Sequence, residues 1–315
     1  MVAPLELWPF VAGLLILVLG LIAVRKDLAA APPFGKIIVL GTVFFAAPLA
    51  CFGAEHLVLG AAMGGGVPTW MPLHTFWIYF VGTGLEAAAI SLALRIYLRW
   101  SAPLVALMFL VFVATIHAPN VAANPHDRFR WAVVLRDLSF GAGAMALSGV
   151  AMQSAAGATQ QIIGNAPLEV VIIPPQEKSI HIAKFLIGIA RIILAVTLLY
   201  FGVENFLHPE CAPGVPLAKL MPAWVPIHVF WADLAGAIFL ISGAALLINT
   251  RTRLVATLAG ITFTLLTLGI YVPILATDRG VAQVVEGINY VYDTLLFAGA
   301  LLLVAAAMPE RSRTR

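Results

Sequence analysis

Two stretches of ten residues, PTWMPLHTFW at 68–77 and PAWVPIHVFW at 222–231, share Pro, Trp, Pro, His, Phe and Trp in the same places. Each sets one histidine, His74 or His228, at the start of an apolar run. An imidazole at a helix start can be held neutral and offered to a ligand. A carboxylate precedes each stretch, Glu55 in FGAE and Glu204 in FGVE. A desolvated carboxyl can hold and release a proton. Asp137 and Asp293 follow in matching positions, with Asp233 inside the second copy's next helix. Together these groups suit chemistry that needs hydrogen bonds and protons at one place.

Plainer readings stand beside that one. His74 and His228 could bond a loop carbonyl, and each glutamate could tie two helices of its own unit. Asp137 has Arg136 beside it as a local partner, and 127–130 reads as a solvated loop. Glu55, His56, His74 and His117 have the residue types of a metal site. No HxxxH or HExxH spacing accompanies them, so no metal is expected.

The elements that must carry these residues are membrane helices. The chain of 315 residues is 62% hydrophobic and 10% charged, with mean hydropathy +1.00. A soluble domain carries about a quarter charged residues. The apolar runs are continuous and long enough for the roughly 20 residues that span a bilayer core. They lack the alternation of a β-barrel. The fold class is all-α, a polytopic membrane protein with nine transmembrane helices. They fall near 8–24, 37–59, 73–94, 102–118, 131–152, 185–206, 227–248, 253–272 and 287–308. The segment MVAPLEL before the first run has no Lys or Arg, unlike a signal peptide, so an uncleaved helix is expected.

One set of alternate connections holds twelve Lys and Arg, among them Arg25, Lys26, Arg95, Arg99 and Arg251; the other holds four, Arg128, Arg130, Lys219 and Arg279. That bias predicts the C-terminus inside and the N-terminus outside a bacterial inner membrane. The net charge of +3 does not point to nucleic acid. Cys51 and Cys211 form no CxxC pair, which disfavours a thiol relay.

The decamers lie 154 residues apart, and other features keep nearly the same step. FGAE at 52–55 is answered by FGVE at 201–204, His117-Ala118-Pro119 by Tyr271-Val272-Pro273, and Asp137 by Asp293. The chain therefore divides into an N-terminal helix with a basic loop (1–36), a first four-helix unit (37–152), a linker (153–184) and a second unit with a basic tail (185–315). An even number of helices per unit predicts two parallel repeats. The linker contains GNAPLEVVIIPPQEK, which reads as a short extended segment stopped by Pro174 and Pro175.

Helix rise puts Glu55 roughly 27 Å from the inner end of its helix, and Asp137, Asp233 and Asp293 roughly 9 Å in from the outer end. Glu86 lies deeper and has no counterpart in the second copy. It reads as a proton stop or as a buried acid bonded to a neighbouring helix. Two clusters are expected. The first combines Glu55, His56, His74, His117, Arg136 and Asp137. The second combines Glu204, Asn205, His228, Asp233, Tyr271, Asp293 and Tyr292. The copies differ at His56/Asn205, His117/Tyr271 and Arg136/Tyr292, so two unequal sites, or one working site and one relic, are expected.

The FGAE and FGVE motifs, each followed by a Pro-rich loop into the next helix, resemble the DoxX/DoxD-like family of four-helix membrane modules. The resemblance covers 37–152 and 184–308. It implies membrane redox work, since some members resemble the membrane subunit of a thiosulfate:quinone oxidoreductase. Two modules and an extra helix depart from the family pattern.

The leading expectation is an outward-facing polar pocket in each unit that binds a quinone or another small lipophilic partner. Glu55, His74 and Asp137 would supply hydrogen bonds and protons, with Glu204, His228 and Asp293 as counterparts. Trp77 and Trp231 would form the apolar wall. A transporter of a small solute or ion is one alternative, and a non-catalytic membrane anchor for a partner subunit is another.

Overall fold

The computed structural model describes residues 4–60, 66–164, 176–214 and 219–308. Among them, nine helical segments are long and apolar enough to cross a membrane. This is a multi-pass, all-helical membrane protein. Its helices are α1 (Trp8–Ala30), α2 (Pro33–Val39), α3 (Gly41–Val58), α4 (His74–Leu94), α5 (Leu98–Phe112), α6 (Ala118–Ala123) and α7 (Arg128–Gly164). After them come α8 (Gln176–Leu207), α9 (His228–Leu247), α10 (Thr252–Leu266), α11 (Val272–Thr277) and α12 (Val281–Ala307).

Three spans are composite. The helices α2 and α3 run on as one. A π turn at Val113–His117 joins α5 to α6, and another at Thr267–Tyr271 joins α10 to α11. Such turns widen a helix locally and are frequent at functional sites. Most helices run a few residues beyond their expected ends. The expected linker is largely helical, because α7 continues to Gly164 and α8 begins at Gln176. The extended segment expected there falls mostly at 165–175, outside the described residues.

The two ends of the bundle differ. The ends of α1 and α4 meet at the basic end, where Arg95 pairs with Asp27. The helices α4 and α9 start at the opposite end, here called the histidine end.

The structural features repeat at the sequence step. Left-handed backbone occurs at Leu73 and Ile227, at Arg95 and Asn249, and at Tyr97 and Arg251, each pair 154 residues apart. The two π turns keep the same spacing. Close approach of α3 to α4 rests on Gly53, where an added Cβ would lie 3.0 Å from the Gly82 carbonyl. Its counterpart Gly202 would meet the Gly236 carbonyl at the same distance.

The packing crosses the two halves of the chain. The helix α3 packs on α4 but also on α12, and α7 packs on α5 but also on α8. The helices α7 and α12 meet in the middle. Gly299 on α12 leaves room for the backbone of Phe45 on α3, which an added Cβ would meet at 2.6 Å. Ser139 on α7 donates to Thr197 on α8 at 2.9 Å. Phe297 is the hub of the core, with ring centroids 5.1–5.5 Å from Phe140, Phe201 and Phe263.

Candidate functional site

The last helices of the two halves, α7 and α12, put their charged residues into one network. The π turn presents His117, whose Nε2 lies 2.9 Å from Asp137 Oδ2. Arg136 Nε donates to Asp137 Oδ1 at 3.2 Å, and Arg136 Nη1 donates to Asp293 Oδ2 at 3.1 Å. Both aspartates are buried, each 4% exposed. One guanidinium thus serves two carboxylates, one on each helix, and the imidazole serves the first carboxylate. Ionisable groups within membrane helices pair in this way because isolated charges there are costly.

On α3, the Glu55 carboxyl lies within electrostatic reach of Asp293 and Arg136 and faces the Asn289 side chain. Glu55 therefore joins residues from the chain's other half as well as Arg136. Cys51, one turn deeper, lies within reach of Glu55, Asp293 and Glu86. Glu86 packs beside Gly53 at the α3–α4 crossing. Among the described residues it forms no ion pair with a neighbouring helix.

His117 also lines a surface hollow with Asn120, Phe129, Arg130 and Val133. Asp127 shapes the rim. Its Oδ1 accepts the Phe129 N–H at 2.9 Å at the start of α7, and its Oδ2 accepts from Arg130 Nε at 3.1 Å. Arg130 Nη1 in turn donates to the Asn120 carbonyl at 2.8 Å. The hollow therefore has an aromatic and aliphatic wall, a fixed cation at its rim and an imidazole that leads into the buried network.

The equivalent place in the second half is closed. Tyr271 stands where His117 stands in the first half, and it is fully buried. Its hydroxyl donates to the Pro213 carbonyl at 2.8 Å. The segment over it folds back on itself, with Ala212 N–H donating to Lys219 O at 2.7 Å and Met221 N–H to Glu210 O at 2.9 Å. Lys219 fastens it to Glu286 at 3.4 Å. This connection is longer than its first-half counterpart at 60–67, and the extra length reaches the tyrosine.

A second cross-half pair lies at the same end. Arg128 Nη1 donates to Glu204 Oε2 at 2.9 Å, and the Tyr200 hydroxyl donates to the Arg128 carbonyl at 2.8 Å. His208 approaches Glu204 at 3.9 Å and Glu210 at 3.3 Å. Arg128 is thus no part of a solvated loop, as the sequence suggested. Cys211 lies close by, and burial pushes its thiol up despite Arg128. Both cysteines are free.

The expected clusters are regrouped. Glu55, His117, Arg136 and Asp137 come together as expected, but Asp293 and Asn289 join them from the other half. His56 is spent on its own helix, with Nδ1 2.7 Å from the Phe52 carbonyl, and Asn205 repeats that bond to Phe201 at 2.8 Å. His74 Nε2 lies 3.2 Å from the Pro68 carbonyl, the plainer role the sequence allowed. Trp77 and Trp231 donate to the carbonyls of Pro72 and Pro226, each at 3.0 Å. The prolines precede the helices by two residues instead of opening them, because Leu73 and Ile227 take left-handed caps. His228 and Asp233 are half-buried and take no part in the network. Tyr292 instead holds α1, donating to the Phe10 carbonyl at 2.8 Å. Among the described residues, no group of three His, Cys, Asp or Glu is placed to hold a metal.

Sequence reasoning missed Asn289 and the partnership of Arg128. An amide inside an apolar helix, in the run INYVYD, was the signal available for the first. No protein-family model, curated protein or solved structure matches the chain. The DoxX/DoxD resemblance therefore rests on its short motifs alone.

Proposed function

We propose that this membrane protein has one working site, the His117 hollow, and that it takes a small lipophilic molecule of the quinone class. One observation carries this reading: His117 touches both the hollow and the buried Asp137–Arg136–Asp293 network. A quinone needs an apolar slot for its ring, hydrogen bonds to its carbonyl oxygens and a supply of protons. Phe129 and Val133 offer the slot, and His117 and Arg130 carry N–H groups at its edge. The network behind His117 is the proton supply. The capped Tyr271 in the second half fits a relic that has become structural. The DoxX/DoxD resemblance agrees with a redox-linked partner. The Lys/Arg bias favours a histidine end that faces outward from a bacterial inner membrane.

Transport is the weaker reading. Glu86 lies deeper than Glu55, and beyond it the residues toward the basic end, among them Ala89 and Leu92 on α4 and Leu301 and Val304 on α12, are apolar and buried. The test of the quinone reading is gentle purification followed by mass spectrometry of the extracted small molecules. A prenylated quinone retained by the wild-type chain and lost from His117→Leu is the expected result. Equal retention by both would remove the hollow as its site.

A further inference from the structure

Where α12 packs on both α3 and α7, three carboxyls, Glu55, Asp137 and Asp293, lie about one guanidinium. Asp137 and Asp293 hold Arg136 between them. Glu55 lies within reach of Asp293 and Arg136, and Glu86 lies within reach of Cys51. Glu55, Asp137 and Asp293 are each under a tenth exposed. If all three carboxyls were ionised, they would outnumber Arg136 and a protonated His117 by three to two. An uncompensated ion inside a membrane protein is costly, and a carboxyl can shed its charge by taking a proton.

A second observation says where a proton fits. Asn289 Oδ1 is buried and has no donor. Its own amide faces the Glu55 carboxyl. An ionised carboxylate only accepts hydrogen bonds, whereas a protonated one donates. The two amide orientations are interchangeable by a half-turn. With the amide turned over, a protonated Glu55 supplies the donor that Oδ1 lacks.

We propose that Glu55 carries an exchangeable proton shared with Asn289, so that the α3–α12 contact is a proton-holding site. On α3, Cys51 is neutral company, and His56 is bonded to Phe52. The helix α4 brings Glu86, and α7 brings Arg136 and Asp137. Asn289, Tyr292 and Asp293 come from α12; Glu6, in the turn before α1 that packs on α12, has a buried Oε2 without a partner. Arg136 is committed to the aspartates, so Glu55 is left without a cation of its own. The site stands whether or not the hollow takes a quinone.

Infrared spectroscopy of the full chain in lipid nanodiscs, with no quinone added, tests this directly. A protonated-carboxyl C=O band is expected at neutral pH, shifting in D2O and vanishing in Glu55→Gln. Asn289→Ala keeps the band and moves its frequency, because the shared hydrogen bond is gone. No band in the wild type, or a band unchanged by Glu55→Gln, overturns the proposal. So does a wild type without the band whose unfolding midpoint rises with Na+ but not with K+ at equal ionic strength, since a metal cation would then fill the place.

Discussion

Arg136 and Asp293 meet at 3.1 Å across the contact between α7 and α12, although 157 positions separate them in the chain. The same guanidinium holds Asp137 at 3.2 Å. This cross-half bond is why the candidate site belongs to both halves of the chain. It also gives the most direct stability prediction. Arg136→Met leaves two buried carboxylates without their cation, and removing one partner of a buried pair costs about 3–5 kcal/mol. Unfolding midpoints in mild detergent should fall accordingly. Adding Asp293→Asn to that background should recover part of the loss, because one orphaned charge is removed. An unchanged midpoint in Arg136→Met would mean that the ion pairs contribute nothing to the contact.

Close approach of α3 and α4 gives a second test. At Gly53 an added methyl would meet the Gly82 carbonyl and Glu86 Cγ, both at 3.0 Å. Overpacking of this kind costs about 1–3 kcal/mol. Gly53→Ala should destabilise by that amount, and Gly202→Ala should behave likewise. Gly84→Ala is the control, since nothing lies within 4 Å of its added Cβ. It should be neutral or gain up to about 1 kcal/mol from better helix propensity. Thermal unfolding of the three variants side by side separates packing from propensity.

The segment that caps Tyr271 should respond to pH. Burial pushes the Asp278 carboxyl up from the ordinary carboxylate range, against the pull of Lys219 and with the help of Glu286. Between the ordinary range and the raised one, the folded chain binds more protons than the unfolded chain. Stability of this region therefore falls as pH rises through that window. In Asp278→Asn that slope should disappear. Hydrogen exchange at Ala212 and Met221, whose N–H groups close the cap, reads the local effect. Exchange at these two amides that tracks pH identically in both proteins, after correction for its intrinsic rate, would exclude Asp278 as the cause.

The spans and the repeat were legible because they are written in local pattern. Apolar runs mark helices wherever they lie, and the decamers show a duplication by identity alone. The positions of Leu73 and Ile227 and of the two π turns follow that step, and Gly53 and Gly202 fall in the matched FGAE and FGVE motifs. Partners were less legible. A repeat states which residue corresponds to which, as Asp137 does to Asp293, but not which touches which. Glu55 and Glu204 were placed with their own halves, and the fold gives each a partner from the other half, Asn289 and Arg128. Nothing in helical periodicity separates a closed four-helix unit from one whose first and last helices pack on the other copy. His74 misled for a different reason. Its decamer marks a turn that Trp77 and Trp231 close in both copies, and the His74 ring serves that turn at the Pro68 carbonyl. The difference that mattered was a substitution, His117 against Tyr271, together with the longer connection that covers the tyrosine.

The central claim is that the His117 hollow is the one working site. It is tested most directly by titrating a short-chain ubiquinone into the purified chain in nanodiscs. The account predicts saturable binding of one molecule per chain, lost at least tenfold in affinity in His117→Leu and kept in Tyr271→Phe. Absence of saturable binding, or binding that survives His117→Leu and fails in Tyr271→Phe, would contradict it.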